Sequence, residues 1–302
     1  MTAGRAAPER AARGRHRLGA WLSAGAVAVA ALLTASSHAG TDDGGPAPAG
    51  RAVLRVLQYN LCGAAAHCWW NAGRSGPGTS VARLAEEAAR LRPDLVTVNE
   101  ICLTQYARLK DRLARAGWRM DGTYASSQDN VPACGRTGVF GSAVLSRGDV
   151  PDGRRDYLRF AHTGGETSTN GGRTVAVRRG LLCAHTVFHG HPLIACTAHT
   201  NARAPEQLRE IRDRLDAFPA STPVVLAGDL NLPPEAPALS YLRDRFVEGR
   251  TAPGEATAGG RTIDHAFASR RHFTVRSAGV RTYPESDHAL LRAEFTLRNR
   301  GM

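Results

Sequence analysis

Val224-Val225-Leu226-Ala227-Gly228-Asp229-Leu230-Asn231 runs four apolar residues into a carboxylate and, two positions on, an amide. An unbroken apolar run of this length reads as a strand buried on both faces. A charge at its end is costly unless it is paired or holds a metal ion. Alternate residues of extended backbone share a face, so Asp229 and Asn231 are expected to point the same way. The pattern recurs downstream. Ile263-Asp264-His265 and Ser286-Asp287-His288 each set a carboxylate beside an imidazole, next to the apolar stretches 262–268 and 289–297.

The upstream half obeys the same grammar. Residues 53–61 alternate and are β-branched enough for a strand, ending at Tyr59-Asn60-Leu61. Val81, Leu84, Ala85, Ala88 and Leu91 recur at helical spacing, and Arg92-Pro93-Asp94 closes that helix. Residues 95–99 form a short apolar strand that delivers Glu100 at its end. Tyr106, Leu109 and Leu113 mark a second helix, stopped at Gly117. A polar loop should precede a strand over 139–145, and a long surface excursion should occupy 147–173. A hairpin of strands 174–188 and 192–200 turns at His189-Gly190-His191, and a helix over 205–218 turns Leu208, Ile211 and Leu215 inward. Strands over 223–227, 262–268, 273–280 and 289–297, with a short helix over 236–244, complete the pattern. Many strands interrupted by few helices predict an α+β fold of two packed sheets with helices outside. Strand ends at one edge would gather Asn60, Glu100, His199, Asp229, Asp264 and His288 into one cleft.

Arg5, Arg10, Arg13, Arg15 and Arg17 precede an apolar run over 18–35, and Ser37-His38-Ala39 offers small residues before Gly40. This predicts a signal peptide over 1–39 and a secreted domain. The apolar run is nearly long enough to span a bilayer, so an uncleaved anchor is the alternative. Residues 40–51 read as a Gly/Pro-rich linker, leaving 52–298 as one large domain. The chain carries +12, and about +8 without the five Arg and one Glu of residues 1–39. Lys110 is the only Lys; the other basic residues are Arg, the better bidentate partner of phosphate. An anionic substrate or surface fits this charge, as does a coding bias toward Arg.

Six Cys follow the signal: Cys62, Cys68, Cys102, Cys134, Cys183 and Cys196. An even count in an exported chain favours disulfides, with fifteen connectivities open. Neighbour pairing is the simplest. A zinc site at Cys62, His67 and Cys68 lacks a recognisable ligand spacing.

Taken together, Tyr59-Asn60-Leu61, Val98-Asn99-Glu100, Thr197-Ala198-His199, Gly228-Asp229-Leu230-Asn231, Ile263-Asp264-His265 and Ser286-Asp287-His288 occur in the order seen in the endonuclease/exonuclease/phosphatase (DNase I-like) superfamily. The resemblance covers residues 52–297. Residues 138–146 and Arg179-Gly180-Leu181-Leu182 also look like its strands. It implies a four-layer α/β/β/α sandwich of two mostly antiparallel sheets flanked by helices. It implies Asn60, Glu100 and Asp287 as ligands of Mg²⁺, with Mn²⁺ or Ca²⁺ as substitutes. Asp229 would orient or deprotonate the attacking water, Asn231 support the transition state, and His199 face the phosphate. His288 would contact the phosphate or act as base, with Asp264 fixing its tautomer. His199 has a carboxylate partner in DNase-like members, and Glu166 is the only Glu in a fitting stretch. His265 receives no role.

The expected reaction is in-line attack of an activated water on a phosphodiester. A nuclease acting on nucleic acid suits the basic domain. A sphingomyelinase-like lipid phosphodiesterase suits Trp69-Trp70, which could enter a lipid headgroup interface; a small-molecule phosphatase shares the same chemistry. A catalytically silent binding module would have lost part of this inventory, and every element of it is present. No protein partner is implied, and a monomer is expected.

Overall fold

A parallel pair of strands anchors each half of the chain. In the computed structural model, which describes residues 52–151, 155–170, 172–252 and 255–298, the first half runs β1 (Val53–Asn60), α1 (Ser80–Leu91), β2 (Leu95–Cys102), α2 (Leu103–Arg115), β3 (Asp121–Gln128) and β4 (Phe140–Ser146). Then come β5 (Arg155–Arg159), β6 (Thr167–Asn170), β7 (Arg173–Ala176), β8 (Gly180–Phe188), β9 (His191–His199), α3 (Glu206–Asp216) and β10 (Val224–Asp229). The chain closes with α4 (Ser240–Arg243), β11 (Phe246–Glu248), β12 (Asp264–Ser269), β13 (Phe273–Arg281) and β14 (Leu290–Leu297). The expected signal segment, 1–39, and linker, 40–51, lie outside the described residues.

Among the described residues there are two six-stranded sheets, ordered β13-β14-β1-β2-β4-β3 and β11-β12-β10-β9-β8-β5, and a two-stranded hairpin, β6-β7. Each large sheet has one parallel pair, β1 with β2 and β9 with β10, and its other neighbours are antiparallel. α1 connects the first parallel pair and α3 the second, because parallel strands need a crossover. The carboxyl ends of β1, β2, β9 and β10 carry Asn60, Glu100, His199 and Asp229.

The alternation along β10 shows why the sheets stack. Val225 and Ala227 join the inter-sheet core with Val56, Leu182 and Phe295. Val224 and Leu226 face the other way, against Leu208, Ile211 and Leu215 of α3. On the far side, Leu57, Tyr59, Val96 and Val98 pack under Leu84 and Ala88 of α1 and Leu109 and Leu113 of α2. The result is the four-layer α/β/β/α sandwich. Burying each large side chain stabilises it by roughly 1.5–3 kcal/mol. α1 is capped by Thr79, whose Oγ1 accepts from Ala82 N–H, and ends at Arg92 with φ 53° before Pro93.

The structure departs from the sequence reading in the weakest strands. β3, β5 and β11 are sheet edges, and β6, inside the stretch read as a loop, pairs only with β7. Edge strands lack the two-sided apolar pattern; β3 is only half-buried over most of its length. The expected strand over 174–188 is two strands, β7 and β8, broken at 177–179. The short helix over 236–244 is a 3₁₀ turn, Pro237–Leu239, running into α4. Three disulfides join neighbours: Cys62–Cys68, Cys102–Cys134 and Cys183–Cys196. The last spans β8 and β9 at directly paired positions.

Candidate active site

β2 does not stop at Asn99. A bulge between Val98 and Ile101 carries it past Glu100 to Cys102, and Glu100 adopts φ 54°. A left-handed conformation in a non-glycine residue costs about 1–3 kcal/mol and persists where the surroundings enforce it. The bulge re-aims one side chain out of the alternation. Glu100 Oε1 accepts from Asn60 Nδ2 at 3.2 Å, and the same amide donates to Asp229 Oδ2 at 3.1 Å. Two carboxylates from different sheets therefore converge on one point. Asn60 Oδ1 is held by the backbone N–H of Cys62 at 3.0 Å.

His199 lies directly opposite Asp229 in the β9–β10 pairing, and Asp264 lies opposite it in β10–β12. His199 Nε2 is 3.3 Å from Asp229 Oδ2 and 3.9 Å from Glu100 Oε1. His288 Nδ1 sits 2.8 Å from Asp264 Oδ2, and its Nε2 is 3.7 Å from Asp229 Oδ2. Burial works against the His288 imidazolium. The hydrogen bond and charge of Asp264, with the charges of Asp229 and Asp287, outweigh burial and push its pKa up to about 10. Burial also works to raise Asp229, yet the His199 hydrogen bond and charge, then His288 and Arg179, hold it well below the usual carboxylate range. Asp264 is raised, by burial first and by the charge of Asp229 second.

The sequence expectation for Asn231 changes. Its φ is 52°, so residues 229–231 are not extended and the shared-face argument does not hold. Asn231 N–H instead donates to Asp229 Oδ1 at 3.0 Å, and its Nδ2 donates to Thr200 O at 2.9 Å. It closes the turn that fixes Asp229. Asp287 has a partner of its own outside this cluster. Ser286 Oγ donates to Asn60 O at 2.8 Å and accepts from His288 N–H at 3.2 Å. With that segment pinned and His288 directed inward, the neighbouring Asp287 faces outward. Its Oδ2 lies 2.9 Å from His67 Nε2 on the Cys62–Cys68 loop, and its side chain is 42% exposed.

Several residues at the site received no role in the sequence reading. Arg179 Nη1 contacts His199 Nε2 directly. The Arg179 guanidinium is gripped by both oxygens of Glu166 at 3.0 Å, and Glu166 also accepts from Asn201 Nδ2 at 2.8 Å. Glu166 therefore meets His199 through an arginine, not by itself. Beneath the site, Asn99 ties the sheets together. Its Oδ1 accepts from Gln58 Nε2 at 2.8 Å and from Asp229 N–H at 3.0 Å, and its Nδ2 donates to Ser142 and Thr197 hydroxyls at 3.2 Å. Gln58 in turn donates to Asp264 Oδ1 at 3.3 Å. The signal was present: Gln58 alternates with Asn60 along β1, and Asn99 is a polar residue inside an apolar strand. His265 is structural. Its two nitrogens lie 2.8 Å from Glu248 Oε1 and Leu232 O.

A divalent cation suits this donor set. The Glu100 carboxylate and the Asn60 amide are hard oxygen ligands of the kind that Mg²⁺ and Ca²⁺ take, and beside them the ligand atoms of Asp229, Asp264 and His288 lie within 4.8 Å of one another. One pocket opens off the site, and a second shares only Asp264 with it. The first, of about 230 Å³, is lined by Glu100, Glu166, Arg178, Arg179 and His199. The second, of about 470 Å³, is lined by Asp264, His265, Arg250 and Arg261.

Comparison with solved structures finds the same fold. An endonuclease/exonuclease/phosphatase from Beutenbergia cavernae is 24% identical with a TM-score of 0.63, over 82% of this chain and 72% of that one. A mannosyl-6-phosphatase from Bacteroides thetaiotaomicron is 18% identical, TM-score 0.62, over 80% and 99%. The human Nocturnin catalytic domain with bound sulfate is 17% identical, TM-score 0.54, over 82% and 97%. No curated protein sequence matches. The sequence signature of the Endonuclease/Exonuclease/phosphatase family matches residues 57–288, from β1 to His288 and hence every strand end described above. The chain belongs to the endonuclease/exonuclease/phosphatase family, whose members hydrolyse phosphoesters.

Proposed function

We propose that this phosphoesterase is an exported, divalent-metal-dependent phosphodiesterase acting on nucleic acid. The observation that carries the reading is the convergence of Glu100 and Asp229, from separate sheets, on the Asn60 amide beside the Asp264–His288 pair. Asn60, Glu100 and Asp287 are the residues that would hold the cation; Asp287 exchanges His67 for it. Mg²⁺, or Mn²⁺ or Ca²⁺ in its place, supplies a Lewis acid for the phosphoryl oxygen and the leaving oxyanion. The residues of the chain do the rest. Asp229, ionised and fixed by the Asn231 N–H, orients the attacking water and accepts its proton. Asp264 commits His288 Nδ1, which leaves Nε2 to donate toward the phosphate. His199 and Arg179 place further donors where charge develops on the phosphoryl oxygens.

Arg178 and Arg179, in the pocket lined by Glu100 and His199, favour a substrate with phosphate oxygens to grip. The three disulfides and the expected signal segment favour export. A lipid phosphodiesterase is the second reading, on one observation: Trp69, beside the Cys62–Cys68 loop that contacts Asp287, is 65% exposed. The test is purified protein with Mg²⁺ or EDTA on plasmid DNA, RNA, sphingomyelin liposomes and a soluble phosphomonoester. Cleavage of DNA or RNA in Mg²⁺ alone supports the reading; cleavage of liposomes and neither polymer replaces it with the second.

A further inference from the structure

Strand direction separates two ends of the sandwich. β12 starts at Asp264 in the site and ends at Ser269, and β14 starts at Leu290, two residues after His288, and ends at Leu297. Arg270, Arg271 and Arg298 follow these far ends directly. At about 3.3 Å per residue, Arg270 stands roughly 20 Å from Asp264, and Arg298 roughly 30 Å from His288, along their strands. With Asp244 and Arg245 the three arginines line a pocket of about 420 Å³.

Three of the four guanidinium groups are held from behind, two of them by backbone. Arg270 Nη2 donates to Arg243 O at 2.7 Å and Phe246 O at 3.1 Å, and Arg298 Nε donates to Phe273 O at 3.1 Å. Arg245 Nη1 lies 3.2 Å from Asp216 Oδ1. Carbonyl acceptors fix an arginine without neutralising it, so these donors are oriented before any ligand arrives. With Arg245 paired to Asp216, three arginines, Arg270, Arg271 and Arg298, face one lining carboxylate, Asp244. The planar guanidinium fork matches the oxygens of phosphate.

We propose that this arginine pocket docks backbone phosphates of a nucleic-acid strand, away from the catalytic cleft. It keeps a polymer tethered while the cleft releases and rebinds it. The phosphate docking stands on the pocket, and the tethering role rests on the nucleic-acid reading of the cleft.

The experiment measures binding of a labelled single-stranded oligonucleotide to the full chain in EDTA, across a salt series. Without a cation the carboxylates of Glu100 and Asp229 stand unneutralised by metal in the cleft, which disfavours the probe there, so the measured affinity chiefly reports the rest of the surface. R271E/R298E is expected to weaken binding about tenfold or more and to flatten the log–log salt slope by about 1.4, the loss of two phosphate contacts. Its metal-dependent turnover of a small soluble phosphoester should match wild type, which separates this proposal from the catalytic one. The matched charge reversal R108E/R115E on α2 should leave binding near wild type. Equal weakening by both pairs, unchanged binding in R271E/R298E, or binding of anionic vesicles with none of the oligonucleotide overturns the proposal.

Discussion

Glu100 holds its carboxylate on backbone that residues with a β-carbon avoid, at φ 54° within a bulge. Strain of this kind trades stability for position. Glu100→Gly should therefore be at least as stable as wild type, with a gain of about 1 kcal/mol, while losing activity. Matched thermal melts and rates check both halves. Glu100→Gln and His288→Ala should abolish turnover with the fold intact by circular dichroism; wild-type-like rates in either would remove the site assignment. Asn99 behaves oppositely, because it is wholly buried and satisfies Gln58 Nε2 and Asp229 N–H. Asn99→Ala leaves two buried donors unpaired, and should lower stability by about 2–4 kcal/mol in a denaturant titration. At this scale the sequence displayed the chemistry-bearing residues but not their aim. Glu100 was legible as a strand-end acid, whereas the bulge that turns it is a property of the β2–β4 pairing. Asn231 was legible as a partner of Asp229, but through its backbone N–H rather than through a shared strand face.

Elements that are buried on both sides announced themselves, and of the four sheet edges only β13 did. β10 and β2 are apolar runs because sheets cover them above and helices below. β3, β5 and β11 are edges whose sequences satisfy only one neighbour. β11 shows what such an edge contributes. Burial tends to raise the carboxyl of Glu248, but hydrogen bonds and charge from His265, then Arg243, lower its pKa from 4.5 to about 2. The folded value is depressed, so the stabilisation is present above pH 4.5 and is lost as pH falls toward 2. Wild type should lose more stability than Glu248→Gln between pH 5 and 3, read as denaturation midpoints; parallel losses would assign the acid sensitivity elsewhere. The strap matters because His265 neighbours Asp264 and reaches Leu232 O, next to the Asn231 turn.

At the scale of the whole molecule, two parallel strand pairs, each bridged by a helix, are placed face to face with their carboxyl ends at one edge. That arrangement explains why six short motifs, spread over more than two hundred residues, make one site. The order of the motifs was visible in the sequence, and so was the layering. The pairing of Asp287 with His67 was not, since it depends on how the Cys62–Cys68 loop folds back over a segment distant in sequence. Nor was the Glu166–Arg179–His199 chain, which joins the β6–β7 region to the end of β9.

The central claim is that carboxylates gathered at these strand ends hold a cation for phosphoester hydrolysis. The most direct measurement is hydrolysis of nucleic acid by wild type and Glu100→Gln, each stripped with EDTA and then titrated with Mg²⁺. Activity that vanishes in EDTA, returns with Mg²⁺ in wild type and stays absent in Glu100→Gln is the expected result. Hydrolysis that persists in EDTA, or that returns equally in both proteins, would contradict it.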